Sequence, residues 1–195
     1  YYTRRGPDVG GDARWLTSSE HSELQLNYIP HDNQFGDSRS RVHFENLTEL
    51  PGNFRLTVDA TNVSDSQYFE DFAQSPEGTS TAFVERRATL SYRDEHWRID
   101  GEAQQYQTID NTLATTDRPY ARAPWLAVNA DYGFGPGELL RYGFDSEVVN
   151  FVRSTGVTGW RVDLTPGASL NFDGPGYFVR PAIAWRSRLP DRWSR

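Results

Sequence analysis

Four histidines, His21, His31, His43 and His96, are the first candidates for metal or acid–base chemistry. A metalloprotease helix carries two of them one turn apart, and no pair here has that spacing. Asp32-Asn33-Gln34-Phe35-Gly36-Asp37 gathers oxygen ligands around a glycine, as calcium loops do. It lacks the closing bidentate glutamate of an EF-hand and reads as a solvated loop. Glu70 with Asp71, or Asp100 with Glu102, would be the carboxylate pair of a glycosidase, which needs a set separation and a raised pKa on one member. Gly133-Phe134-Gly135-Pro136-Gly137 has the glycines of a phosphate loop. That loop must open a helix, whereas the residues that follow alternate as a strand, so a hairpin turn is expected. No serine has a G-x-S-x-G context. Asn46-Leu47-Thr48 and Asn62-Val63-Ser64 match the glycosylation sequon, which chance also produces. No residue is assigned to catalysis, to a cofactor or to a metal, and the chain is read as a non-enzyme.

Composition narrows the remaining classes. The 195 residues carry a net charge of −7, and all 20 bases are arginine. A nucleic-acid binder needs a concentrated basic footprint, so nucleic acid is not an expected partner. Without cysteine, disulfide scaffolds, Cys-ligated zinc and thiol catalysis are excluded. Methionine is absent too, so an excerpt of a longer chain is expected. Mean hydropathy is −0.72, and no run approaches the ~20 apolar residues of a membrane helix. Yet 6 Trp, 10 Tyr and 11 Phe are not a disordered composition.

The elements that must position these residues have a period of two. Trp160, Val162, Leu164, Pro166, Ala168, Leu170 and Phe172 alternate with Arg161, Asp163, Thr165, Gly167, Ser169 and Asn171. Such alternation marks a strand with one apolar and one wet face. The same pattern recurs over Tyr177 to Arg186, Leu126 to Phe134, Leu140 to Val148, Trp97 to Gln104, Ala88 to Tyr92 and Phe54 to Thr61, and more weakly over Leu24 to Tyr28 and Val42 to Phe44. Nine strands result, with a tenth near Arg14 to Ser18. Short turns at Leu50 to Asn53, Asp94-Glu95, Gly135 to Gly137 and Gly174-Pro175 alternate with long links over Ile29 to Ser38, Asn62 to Thr81, Thr108 to Pro124 and Asn150 to Gly159. An antiparallel meander with one short-turn end is expected.

Two architectures accept such strands. A soluble sandwich, carbohydrate-binding modules included, buries its apolar faces against each other in strands of about 5–6 residues. An outer-membrane barrel turns them to lipid in strands of about 9–11 residues, with aromatic girdles at both interfaces. The alternation here runs long, with Trp160 and Phe172 at the ends of one apolar stripe, Tyr177 and Trp185 at the ends of another, and aliphatics between. The barrel fits better.

One segment is more specific. Val63-Ser64-Asp65-Ser66-Gln67-Tyr68-Phe69-Glu70-Asp71-Phe72 resembles the V-S-D-x-x-Y-F-x-D-F segment of the LptD family, the lipopolysaccharide-assembly proteins of Gram-negative outer membranes. Gln105-Tyr106-Gln107, Pro119 to Pro124 and Gly159-Trp160-Arg161 with Pro166 follow in that family's order. The resemblance covers roughly Arg14 to Trp185. It implies an all-β fold: a meander of about nine or ten strands, an open slice of a large barrel spanning 1–195, with strand pattern over about 14–186 and an irregular end at 187–195. It also implies lipopolysaccharide as cargo, the LptE lipoprotein inside the barrel, a periplasmic Lpt bridge acting through a domain absent here, membrane lipid around the wall, and the outer membrane as location. Another porin-like barrel remains the alternative within membranes.

Three further expectations follow. Arg55, Asp59, Arg98, Glu102, Asp131, Arg141, Asp145, Arg161, Asp163 and Arg180 should line a wet lumen. Because opposite residues share a face, Pro181 should meet Ala168 and Pro166 should meet Ile183, while Phe134 should meet Glu138 or Leu140. Arginine at Leu164 should be far more damaging than arginine at Asp163, which should lose only an acidic neighbour for Arg161.

Overall fold

The computed structural model describes residues 4–72, 82–153 and 155–194, the last five by backbone alone. Ten hydrogen-bonded strands follow the chain in order. They are β1 (Val9–Leu16), β2 (Glu20–Ile29), β3 (Arg39–Leu50), β4 (Phe54–Val63), β5 (Phe83–Arg93), β6 (Trp97–Thr108), β7 (Ala121–Phe134), β8 (Leu140–Val152) and β9 (Thr158–Leu170), then an interrupted return strand. Every neighbouring pair is antiparallel. β1 and the return strand are not paired with each other, so the sheet is open.

Each short turn has a local cause. Leu50 pairs with Phe54, and Gly52 and Asn53 both take positive φ between them, where glycine and asparagine are the tolerated residues. Asp94 holds the β5–β6 turn by accepting bonds from the backbone N–H groups of His96 and Trp97 at 2.8 and 2.6 Å. Phe134 pairs with Leu140, one of the two expected partners, across a five-residue loop. The long links all fall at the other end of the sheet, as anticipated.

The C-terminal hairpin departs from expectation by two residues. β10 (Phe172–Gly174) pairs with β11 (Tyr177–Val179), leaving only Pro175-Gly176 as the loop. Pro175 presets the first φ and Gly176 takes +90°, the pattern of a type II turn. The same register then continues along β9. β12 (Ala182–Ala184) sets Ile183 opposite Ala168, and β13 (Ser187–Ser194) sets Ser187 opposite Leu164. Pro181 therefore meets Leu170 and Trp185 meets Pro166, through 3.0 Å backbone bonds. The faces were assigned correctly; the slip came from reading a four-residue loop. Ser187 to Ser194 is a strand, not an irregular end. Its lost alternation reflects a register shift between Leu189 and Arg192. Trp185 consequently sits mid-strand rather than at a stripe end.

Several strands are longer than their alternation suggested, β7 and β8 among them. β7 begins at Ala121 and β8 runs to Val152. The pattern broke because β7 is bulged: its pairing with both neighbours shifts between Arg122 and Trp125. Pro124 lies inside that bulge and has no N–H to offer a ladder.

The apolar face has no second layer over it among the described residues. Leu26, Tyr28, Leu90, Leu126, Tyr142 and Trp160 stand on it exposed, and Leu164 is 38% exposed. At the short-turn end its aromatics touch in a row. Phe54 lies 4.9 Å from Tyr92, Tyr132 lies 5.6 Å from Tyr142, and the Trp97 indole donates to the Tyr132 hydroxyl at 2.7 Å. The buried cluster of Val63, Tyr68, Val84 and Ile109 lies at the long-link end, with Ile29, Ala130 and Val149 buried outside it.

Candidate functional site

The opposite face carries the charges, and the ladder pairs most of them. Arg55 meets Glu49 at 2.6 Å, Arg122 meets Glu102 at 2.9 Å, and Arg161 meets Glu147 at 2.9 Å. Arg141 bonds Asp131, and Arg180 approaches Asp173 at 3.5 Å. Asn129 donates to Asp145 at 2.5 Å, while Arg98 stands beside both in a polar trough. Asp59 lies 4.0 Å from His43. All ten residues proposed for a wet lumen thus share the polar face. They form separate pairs with neighbours and no single constellation.

Asp163 corrects one expectation. Its partner is not Arg161 but the return strand: Arg186 at 2.5 Å and Arg188 at 3.1 Å both hold it. The sequence hid this because Ser187 to Ser194 did not read as a strand. An arginine at 163 would therefore face two others and is no mild change.

The β7 bulge adds two residues that alternation missed. An extra residue lets one strand present consecutive-parity side chains to the same face. Arg122 lies before the bulge and Trp125 after it, yet both reach the polar side. Arg122 donates to Gln104 at 2.6 Å, and the Trp125 indole donates to Glu147 at 2.8 Å.

The most closely built site lies where the segment Val63 to Phe72 folds over the long-link end. β3 opens with Arg39, whose side chain is fully buried. Its guanidinium grips Asp65 with two bonds, Nε to Oδ2 at 2.9 Å and Nη2 to Oδ1 at 2.7 Å, and also bonds Asp71 and, at 3.3 Å, Asp32. Arg5 closes the network, donating to Asp32 at 2.8 Å and Asp71 at 2.6 Å. Phe35, Phe72 and Tyr68 surround the Arg39 guanidinium with ring centres at 4.5, 4.8 and 5.6 Å. Such fork-shaped bidentate pairing and ring stacking belong to arginine and not to lysine.

The helix α1 (Tyr68–Phe72) delivers three of these groups at once. Tyr68 joins the apolar cluster while Phe69 and Phe72 pack against it, and Asp71 turns to the arginines. Asp65 precedes the helix, and its carboxylate also accepts from the Ser64 hydroxyl and the Gln67 N–H. The β4–β5 ladder ends at Ala60 and Arg86. Beyond it Gln107 bonds both the N–H and the carbonyl of Val63, at 3.2 and 2.7 Å.

Burial pushes the Asp32 carboxyl up, but Arg5, the N–H groups of Gln34 and Phe35, and Arg39 outweigh it and hold the pKa at about 2. Asp65 is likewise raised by burial and pulled below the usual carboxylate range, chiefly by Arg39. Asp32 is thus committed to arginines and backbone rather than to a calcium ion. Asp71 is committed in the same way while Glu70 is exposed. Arg93 binds Asp100 with 2.8 and 2.7 Å bonds. Neither carboxylate pair raised for glycosidase chemistry is free. Arg5 and Arg39 were invisible to sequence reading, since all but one of their carboxylate contacts span 26 to 66 residues, the exception being Arg39 with Asp32 seven residues away.

Comparison with known proteins bears on this segment directly. The family model described as LPS transport system D matches residues 37–191. The LPS-assembly protein LptD of Nitrosococcus oceani is 33% identical over 190 residues, 95% of this chain and 25% of its own length. That of Methylococcus capsulatus is 32% identical over 183 residues, 93% of this chain and 18% of its own. That of Aromatoleum aromaticum is 33% identical over 184 residues, 92% of this chain and 22% of its own. The chain spans a quarter or less of the length of these relatives. With most of its strands and the whole Arg39-binding segment inside the matched range, the chain belongs to the LptD family.

Proposed function

We propose that the chain is one arc of the wall of an outer-membrane barrel that passes lipopolysaccharide to the outer leaflet. One observation carries this reading: a single-layer sheet with an exposed apolar face ringed by aromatics, and a polar face of paired charges behind it. Outer-membrane barrels present such an apolar band to lipid and a polar interior to water. A polyanionic sugar head crosses hydrocarbon only inside a wet conduit, since burying unpaired charge is costly. The polar face of β4 to β9 would supply part of that conduit, with the LptE lipoprotein lodged against it and a periplasmic bridge feeding the barrel. The role is transport and assembly, with the energy supplied elsewhere in the pathway.

The test uses a full-length family member carrying this segment. Reversing the charges of Asp131, Asp145 and Glu147 together should lower the lipopolysaccharide reaching the cell surface while the barrel still folds and copurifies with LptE. Unchanged surface lipopolysaccharide would remove this arc from the path. Failure of the unsubstituted protein to associate with LptE would instead favour a porin-type barrel.

A further inference from the structure

At one place on the polar face three acids line up across three strands. Glu23, Glu45 and Asp59 stand directly opposite one another on β2, β3 and β4. Like charges in such cross-strand positions repel. Arg14 neutralises Glu23 at 2.9 Å. Glu45 and Asp59 form no salt bridge with an arginine among the described residues: Arg87 stands opposite Asp59 on β5 but turns to Glu85, whereas Glu49, Asp100, Asp131, Glu147 and Asp163 on the same face each have one. What lies between them is His43, one pleat along β3. Its Nε2 is 3.0 Å from Glu45 Oε1, and its Nδ1 is 4.0 Å from Asp59 Oδ1. The Thr61 hydroxyl, 2.7 Å from Nδ1, fixes the ring plane.

We propose that His43, Glu45 and Asp59 form a binding site for a borderline divalent metal ion of the zinc type. One ligand atom from each residue lies within 4.8 Å of the other two. Ligands sharing one zinc ion stand about 2.0–2.2 Å from it, so small rotations of the two exposed carboxylates close the set. An imidazole with carboxylates suits zinc, nickel or copper, whereas magnesium and calcium prefer oxygen alone. Thr61 does what outer partners of metal-bound histidines do, orienting the ring. Two strands supply all three ligands from a rigid ladder, and the remaining coordination positions open toward the polar face. The site is separate from the Arg39 network and does not depend on the transport reading.

The experiment takes a full-length family member carrying these three residues, purified in detergent and stripped with chelator. Zinc is titrated calorimetrically, and cobalt is titrated by its visible absorption. The unsubstituted protein should bind one equivalent more than the His43→Ala variant, and Asp59→Asn should weaken that equivalent at least tenfold. Zinc should raise the unfolding temperature of the unsubstituted protein and not that of His43→Ala. A third variant, Thr61→Ala, leaves the ligands in place and should retain the equivalent with lower affinity, which separates loss of a ligand from loss of the fold. Equal stoichiometry in the unsubstituted protein and His43→Ala, or no micromolar binding at all, would overturn the proposal.

Discussion

Arg39 and Asp32 are cut off from water, while Asp65 and Asp71 keep 13% and 26% of their side-chain exposure. Removing one member of a buried ion pair leaves uncompensated charge and costs about 3–5 kcal/mol. Arg39→Ala in a full-length relative should therefore lose about that much in a reversible unfolding measurement, with Arg39→Lys recovering little because the two-pronged grip on Asp65 is lost. Asp32 adds a pH dependence of definite sign. Its carboxyl ordinarily titrates near 3.8 and here near 2, so the folded state favours the ionised form. The stabilisation is complete above about pH 4 and fades as pH falls toward 2. Protection of Val63 to Phe72 against hydrogen exchange, corrected for the intrinsic rate at each pH, should fall in that window, and Asp32→Asn should flatten the response. Protection unchanged from pH 5 to pH 2 would contradict it. At this scale the sequence displayed half of the site. Asp65, Tyr68, Asp71 and Phe72 stood out as a spaced segment, but nothing local marks which arginine they seize.

The strands were legible because one face is wet and the other apolar, which turns burial into a period of two. Legibility ended where that cause ended. The β7 bulge moved Trp125 across parity, and the register shift in β13 erased the stripe beyond Leu189. β5 begins at Phe83, five residues before its alternation shows, because there Arg86 and Gln107 bond the end of β4 in place of ladder partners. The face assignment itself is testable on β9. Leu164→Arg should cost about 2–4 kcal/mol of folding into lipid vesicles if it meets the bilayer midplane. Thr165→Arg, one residue on, enters the polar trough opposite Asp145 and should change stability by under about 1 kcal/mol. Leu164→Phe separates lipid from a packed core: fluid lipid accommodates it, whereas overpacking costs about 1–3 kcal/mol. Equal damage from Leu164→Arg and Thr165→Arg would reverse the orientation.

At the scale of the whole sheet, the described residues show an apolar face with no covering layer and two unpaired edges, β1 and the return strand. Unpaired strand edges are templates for further pairing. The 195-residue chain refolded alone into detergent micelles should therefore associate edge to edge, and sedimentation in density-matched buffer should show species larger than one copy. A monodisperse monomer would mean that both edges are satisfied some other way. The open meander was legible from alternation and from the short-turn, long-link rhythm. How widely it curves was not, because alternation records which face a side chain takes and not the angle between strands.

The meander also has a kinetic meaning. Each ladder in it joins strands adjacent in the chain, so no pairing waits for a distant segment to arrive. Contacts of that kind close short loops and are associated with fast folding. Growth can proceed by adding one hairpin at a time to a sheet that already exists, and only the newest strand is then exposed as an edge. In the barrel proposed above, the slow event would come at the end: joining the first strand to the last, the one contact that needs every strand to be present.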